Sequence, residues 1–131
     1  MLLPTTLCLA AAAAVINIWI SMRVGRVRHA AKVSVGDGGD ERLLRRMRAH
    51  ANFIENTPLV LILIGAVELS GKGGAWLAVV GGLYILGRVC HALGMDGGGA
   101  VEKLRGVGTL ITMLTQIGLA IVAVLIALGH F

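Results

Sequence analysis

Aromatic residues are scarce in this chain, with two Trp, one Tyr and two Phe in 131 residues. None is interleaved with the basic residues, which argues against a nucleic-acid-binding surface despite a net charge of +5. There are only two cysteines. Cys8 and Cys90 fall at opposite ends of their apolar segments, at depths that differ by about 16 Å, too far for an intrachain disulfide. No Cys–His cluster has zinc-ligand spacing, so no metal site is expected. The glycines of Val35-Gly36-Asp37-Gly38-Gly39-Asp40 are followed by no P-loop lysine and preceded by no strand pattern, which leaves a turn rather than a phosphate cradle. No duplicated half is visible. The first apolar run is not preceded by a basic region and is long for a signal peptide, so it reads as a retained helix.

What the chain has in abundance is apolar length. It is 56% hydrophobic, with a mean hydropathy of +0.85, beyond the usual range of soluble domains. Residues 3–22, 53–69, 75–93 and 107–128 are apolar runs of about the length that crosses a hydrocarbon core. The second is short, so its helix is expected to begin outside the membrane, near Glu41. Asp40 is placed to cap it, with Glu41 favourable in its first turn. The expectation is an all-α, single-domain integral membrane bundle of four helices over residues 1–131. The stretch from Arg23 to Glu41 would be its first connector, and Gly97-Gly98-Gly99 a hinge in its third.

The charges orient the bundle. Arg23, Arg26, Arg28, Lys32, Arg42, Arg45, Arg46 and Arg48 lie between the first two runs, and Lys103 and Arg105 between the last two. The second connector has only Lys72, and the tails have no Lys or Arg. The positive-inside rule puts the first and third connectors in the cytoplasm and both termini outside. The basic charge then reads as a signal of topology and lipid contact.

Polar residues inside the apolar runs mark the candidate site. Arg48, Asn52 and Glu55 recur at helical spacing, on one face, where the chain enters the membrane. An unremarkable helix end, with its charges reaching headgroup water and Pro58 bending it, would use the same residue types. Tyr84, Arg88, His91 and Met95 form a second continuous face, with Arg88 about one turn inside the membrane boundary. A guanidinium there needs a partner, and Glu55 at the matching depth is the expected one, unless both flank a ligand. Snorkelling of Arg88 to the headgroups, a structural role for His91 and plain packing of Tyr84 are the alternatives. Asn17, in the first span, is expected to make an interhelical hydrogen bond or to be a tolerated polar residue.

The run Arg48-Ala49-His50-Ala51-Asn52-Phe53-Ile54-Glu55-Asn56-Thr57-Pro58 resembles the helix-two signature of the MAPEG superfamily, membrane-associated proteins in eicosanoid and glutathione metabolism. The resemblance extends to Tyr84-Ile85-Leu86-Gly87-Arg88-Val89-Cys90-His91, to Arg105 at the start of the fourth helix, and to the four-span layout. It implies a homotrimer that binds glutathione between neighbouring subunits near the cytoplasmic side. Carried over position by position, it implies glutathione contacts at Arg23, Arg48, His50, Asn52, Glu55, Arg88 and His91. Arg105 matches the arginine that stabilises the thiolate. Asn56 and Met95 stand where some relatives have tyrosine, a departure that speaks against leukotriene-type specificity. The implied activity is that of a bacterial inner-membrane glutathione transferase or peroxidase acting on lipophilic electrophiles, with periplasmic termini. A non-catalytic lipid-binding scaffold of the same fold is the alternative. A small multidrug exporter is disfavoured because residues 3–22 contain no carboxylate for proton coupling.

The residue chemistry suits glutathione independently of the resemblance. Two carboxylates, an ammonium and a thiol call for guanidinium groups and at least one carboxylate. A free thiol with a pKa near 8.5 is only about 3% ionised at pH 7. Drawing that pKa down to about 6 takes about 3.4 kcal/mol of preferential thiolate stabilisation, within reach of one partly desolvated arginine.

Overall fold

Four helices account for the chain in a computed structural model that describes residues 1–131: α1 (Pro4–Ala31), α2 (Glu41–Leu69), α3 (Ala75–Gly94) and α4 (Val101–Ala127). There are no strands. All four helices are long and apolar enough to cross a membrane.

Local chemistry explains the ends. Pro4 opens α1, where its missing N–H is no loss. The helix has no side-chain cap of its own; instead the Glu68 carboxylate at the far end of α2 accepts from the Thr5 and Thr6 amides at 2.9 and 2.8 Å and from Thr6 Oγ1 at 2.7 Å. At its other end Lys32 turns left-handed, φ 55°, with Lys32 N donating to His29 O and Val33 N to Arg28 O. This is the double-bonded stop usually built on glycine. Asp40 Oδ1 accepts from the Leu43 amide at 2.9 Å, so α2 begins at Glu41 as expected. Helix α2 then continues without interruption through Pro58.

The first connector is shorter than expected. Residues 23–31 are not part of it: they extend α1, because no proline interrupts them, the single Gly25 is tolerated, and Arg23 and Val27 are buried against the bundle. Only residues 32–40 form the turn, with positive φ at Gly36, Gly38 and Gly39. Helix α4 likewise starts six residues before the expected 107, so Arg105 lies one turn inside it rather than at its opening.

Small residues set the closest approach, which joins α3 to α4. A Cβ on Gly94 would overlap the backbone of Arg105, and one on Gly108 would strike Gly87 O and His91. In lipid, where burial of apolar surface gives little drive, close backbone contact of this kind holds helices together. Two apolar clusters complete the interior. Val60, Ile64, Val67, Leu77, Tyr84 and Leu119 fill the half near the α2–α3 turn. Ala13, Ile16, Ile20, Phe53 and Ala92 fill the half near the basic connectors. Exposed Ile62, Leu86, Leu114 and Ile121 leave an apolar exterior suited to lipid.

Candidate functional site

Arg88 is the most buried charge in the molecule, 1% exposed in the middle of a polar layer that crosses three helices. The face Tyr84–Arg88–His91 of α3 does point inward, and all three residues are buried. The Arg88 guanidinium donates to Thr112 Oγ1 on α4 at 2.8 Å and to Asn52 Oδ1 on α2 at 2.5 Å. Thr112 Oγ1 in turn donates to Gly108 O at 2.9 Å. Asn56 Nδ2 donates to Asn52 O, and Gln116 Nε2 to Asn56 Oδ1, both at 2.8 Å. The Tyr84 and Thr57 hydroxyls share a hydrogen bond of 2.9 Å one turn further into the membrane.

No carboxylate reaches this cation. The expected Arg88–Glu55 ion pair does not form; the four ion pairs of the molecule are Arg23–Asp96, Arg46–Asp96, Arg45–Glu41 and Arg105–Glu102. The reason is rotation about α2. Its buried stripe is Phe53, Thr57, Val60, Ile64 and Val67, and on a helix Asn52 lies about 100° from Phe53 while Glu55 lies about 160° away. Asn52 therefore meets α3, and Glu55 stays exposed. Arg88 Nε and His91 Nδ1 are buried without a hydrogen-bond partner. A buried guanidinium that holds only neutral partners and a free N–H is an open demand for an anion.

The other candidate residues surround this layer without joining it. Arg48 is exposed on α2 and makes no ion pair. His50 turns toward α1, with Nε2 2.8 Å from Asn17 Oδ1, which gives Asn17 its interhelical hydrogen bond. His50 and Glu55 line one open groove of about 410 Å³ together with Arg28 and Met47. Arg23 is buried under an ion pair with Asp96, its guanidinium 5.0 Å from the Trp19 ring centre. Arg46 binds the same carboxylate at 3.2 Å and donates to Arg23 O at 3.0 Å, tying α1, α2 and the end of α3 together. Arg105 is exposed, 3.7 Å from Glu102, with its backbone against Gly94 one turn from His91.

Asp96, Thr112 and Gln116 escaped the sequence reading. The α4 residues had a signal: Gly108, Thr112, Thr115 and Gln116 recur at helical spacing in an otherwise apolar run. On the half of the same helix nearer the α2–α3 turn an apolar groove of about 410 Å³ runs between α3 and α4, from Trp76 and Val122 to Ile111 and Thr115. Ile111, at its other end, is next to Thr112 in the chain.

The sequence pattern of the MAPEG family matches residues 6–125, which takes in all four helices and every candidate residue. The chain belongs to the MAPEG family. Membership agrees with an architecture of four helices that are each long and apolar enough to cross a membrane. Two similar proteins are the inner membrane protein YecN of Escherichia coli strain K12 and that of E. coli O6:H1 strain CFT073. Each is 33% identical over 75 residues, 56% of this chain and 56% of the relative, so the match spans little more than half of those proteins.

Proposed function

We propose that this MAPEG protein is a glutathione-dependent transferase or peroxidase of a bacterial inner membrane, acting on lipophilic electrophiles as a homotrimer with periplasmic termini. One observation carries the reading: Arg88 is buried with only Asn52 and Thr112 as partners, and no side chain neutralises it. A carboxylate of glutathione would complete it with charge-assisted hydrogen bonds. His91, one turn nearer the cytoplasmic end, offers its free Nδ1 to the same ligand. Arg48 and Glu55 are exposed on α2, where a second subunit can close over them, so that Glu55 takes the ammonium and Arg48 the second carboxylate. His50 and Arg23 hold their own helices by Asn17 and Asp96, and contribute at the rim.

Arg105 is the residue to which thiolate stabilisation is assigned. The thiolate attacks an electrophilic carbon, a C–S bond forms, and the leaving group departs with the electron pair. With a peroxide the sulfur takes the distal oxygen as the O–O bond breaks and the alkoxide leaves to be protonated to the alcohol. A second glutathione thiol then attacks the sulfenic sulfur, forming the disulfide and releasing water. The apolar groove between α3 and α4 gives a lipophilic second substrate a path from the bilayer to the level of Thr112. The alternative, a lipid-binding scaffold without catalysis, draws support from the exposure of Arg105 and its pairing with Glu102. Isothermal titration of the detergent-solubilised protein with glutathione separates the two. Saturable binding is expected, and its absence at millimolar ligand would favour the scaffold.

A further inference from the structure

The extension of α1 beyond the membrane creates a feature that glutathione chemistry does not use. Val15, Ile18 and Met22 are exposed on α1 at 67%, 60% and 53%. Gly25, His29 and Lys32 continue the same face, all within about 100° of arc. An apolar stripe therefore runs without a break into a polar one. At the junction lies an open concavity of about 510 Å³ lined by Gly25, Arg28, His29, Lys32, Val33 and Ser34. A Cβ on Gly25 would meet nothing within 4 Å, so the floor is open space.

Charge and depth both point to one kind of occupant. Arg28 and Lys32 make no ion pair. Arg28 is held in place by carbonyls, donating to Gly36 O at 2.8 Å and Val33 O at 3.4 Å, so its charge is fixed yet unneutralised. The acidic residues of the connector are engaged elsewhere, Asp37 accepting from the Gly39 amide and Asp40 from that of Leu43, and Glu55, in the neighbouring groove that Arg28 also borders, forms no ion pair with it. Met22 ends the apolar run, and Gly25 to His29 lie about 4–10 Å beyond it at 1.5 Å per residue. The headgroup zone on each side of a bilayer is about 5–8 Å deep. Cations at the end of a helix also offset its dipole, which accounts for Arg28 and His29 being basic. It does not account for the open floor at Gly25 or for the apolar stripe that leads into it.

We propose that this concavity binds the phosphate of an anionic phospholipid in the leaflet beside the basic connectors, with an acyl chain along Val15, Ile18 and Met22. Native mass spectrometry of the full chain, released from micelles containing phosphatidylglycerol or phosphatidylcholine, tests it. Wild type should retain phosphatidylglycerol in preference to phosphatidylcholine. Lys32→Asn, a residue that tolerates the left-handed turn, should lower that retention about fivefold. Gly25→Leu, which favours the helix but fills the floor, should abolish it. Arg42→Gln, which removes an equal charge from α2, should leave it unchanged. Equal losses from Arg42→Gln and Lys32→Asn would mean diffuse attraction and overturn the site. Full displacement of phosphatidylglycerol by millimolar inorganic phosphate would mean a site for free phosphate and overturn the lipid assignment. A change of oligomeric state in Gly25→Leu would assign the face to a subunit contact and overturn it as well.

Discussion

Substitution of Arg88 by methionine tests whether the polar layer exists for stability or for a ligand. The guanidinium is 1% exposed and bonds only to Asn52 and Thr112, with Nε free. Replacing a buried ion pair or triad by apolar side chains is often neutral or stabilising by about 1–4 kcal/mol. Arg88, which has no opposite charge to lose, is expected to fall in the same range when replaced by an apolar side chain of similar length. Against this, Asn52 Oδ1 loses its partner, at a cost of about 1–3 kcal/mol, whereas Thr112 keeps its bond to Gly108 O. Arg88→Met should therefore fall within about 1 kcal/mol of wild type. Asn52→Leu should be worse, by about 2–3 kcal/mol, because it leaves the charge in place and removes a charged hydrogen bond. The double variant should recover most of that loss. The coupling should reach about 2 kcal/mol, above the ~1.7 kcal/mol maximum seen for interhelical hydrogen bonds in bacteriorhodopsin. Equilibrium unfolding in mixed detergent–SDS micelles, followed by helical circular dichroism, gives the cycle. In the same samples Arg88→Met should weaken glutathione binding about 30- to 160-fold, the equivalent of about 2–3 kcal/mol. Coupling below about 0.5 kcal/mol would refute the energetic account. Wild-type glutathione affinity in Arg88→Met would refute the claim that its charge awaits a ligand carboxylate.

Three further outcomes are expected. A periplasm-dependent reporter fused after Phe131 should be active and a cytoplasm-dependent one silent, since ten Lys and Arg lie in the first and third inter-run segments and only Lys72 in the second; the reverse pattern would invert the bundle. Arg105→Ala should lower turnover more than glutathione affinity, because thiolate stabilisation counts most in the transition state. Thiolate absorbance against pH checks this, and an unchanged glutathione thiol pKa in the variant would remove Arg105 from that role. Gly108→Val should cost about 4 kcal/mol or more, since the added carbon meets Gly87 O and the His91 backbone. Gly118→Ala, whose Cβ meets nothing within 4 Å, should stabilise by up to about 1 kcal/mol. Melting of the purified variants measures both, and equal behaviour would deny that the α3–α4 crossing depends on its glycines.

The number of spans, the start of α2 and the inward face of α3 were legible because each rests on a strong local signal. Those signals were apolar length, an Asp40–Glu41 helix start, and ionisable residues at helical spacing where lipid penalises them. The continuation of α1 to Ala31 was not legible, because hydropathy reports where the bilayer ends and not where the helix ends. Arg23 and Val27 keep that segment docked, but their burial depends on neighbours that local sequence does not name. Asp96 was missed for the same reason. It stands 73 residues from Arg23 and 50 from Arg46, and only the way the helices lie together brings the three into contact.

The choice between Glu55 and Asn52 as the partner of Arg88 shows where periodicity stops. Both lie near the right depth, and a formal charge made Glu55 the natural choice. What decides between them is the rotation of α2, and in a soluble helix the apolar stripe would reveal it. In lipid that stripe is hidden, because the outward residues Leu59 and Ile62 are as apolar as the inward Val60 and Ile64. The informative residues are the small and polar ones, since these are costly against hydrocarbon and gather where helices meet. On α4 they are Gly108, Thr112, Thr115 and Gln116, and on α2 they are Asn52, Asn56 and Thr57. Matched to each other by these residues, α2 and α4 present Asn56 to Gln116, and that contact turns Asn52 toward Arg88 and leaves Glu55 outside. On the proposed function, the exposed carboxylate of Glu55 and the unneutralised guanidinium of Arg88 answer two requirements of one ligand, which is why the unpaired state of Arg88 carries the functional reading.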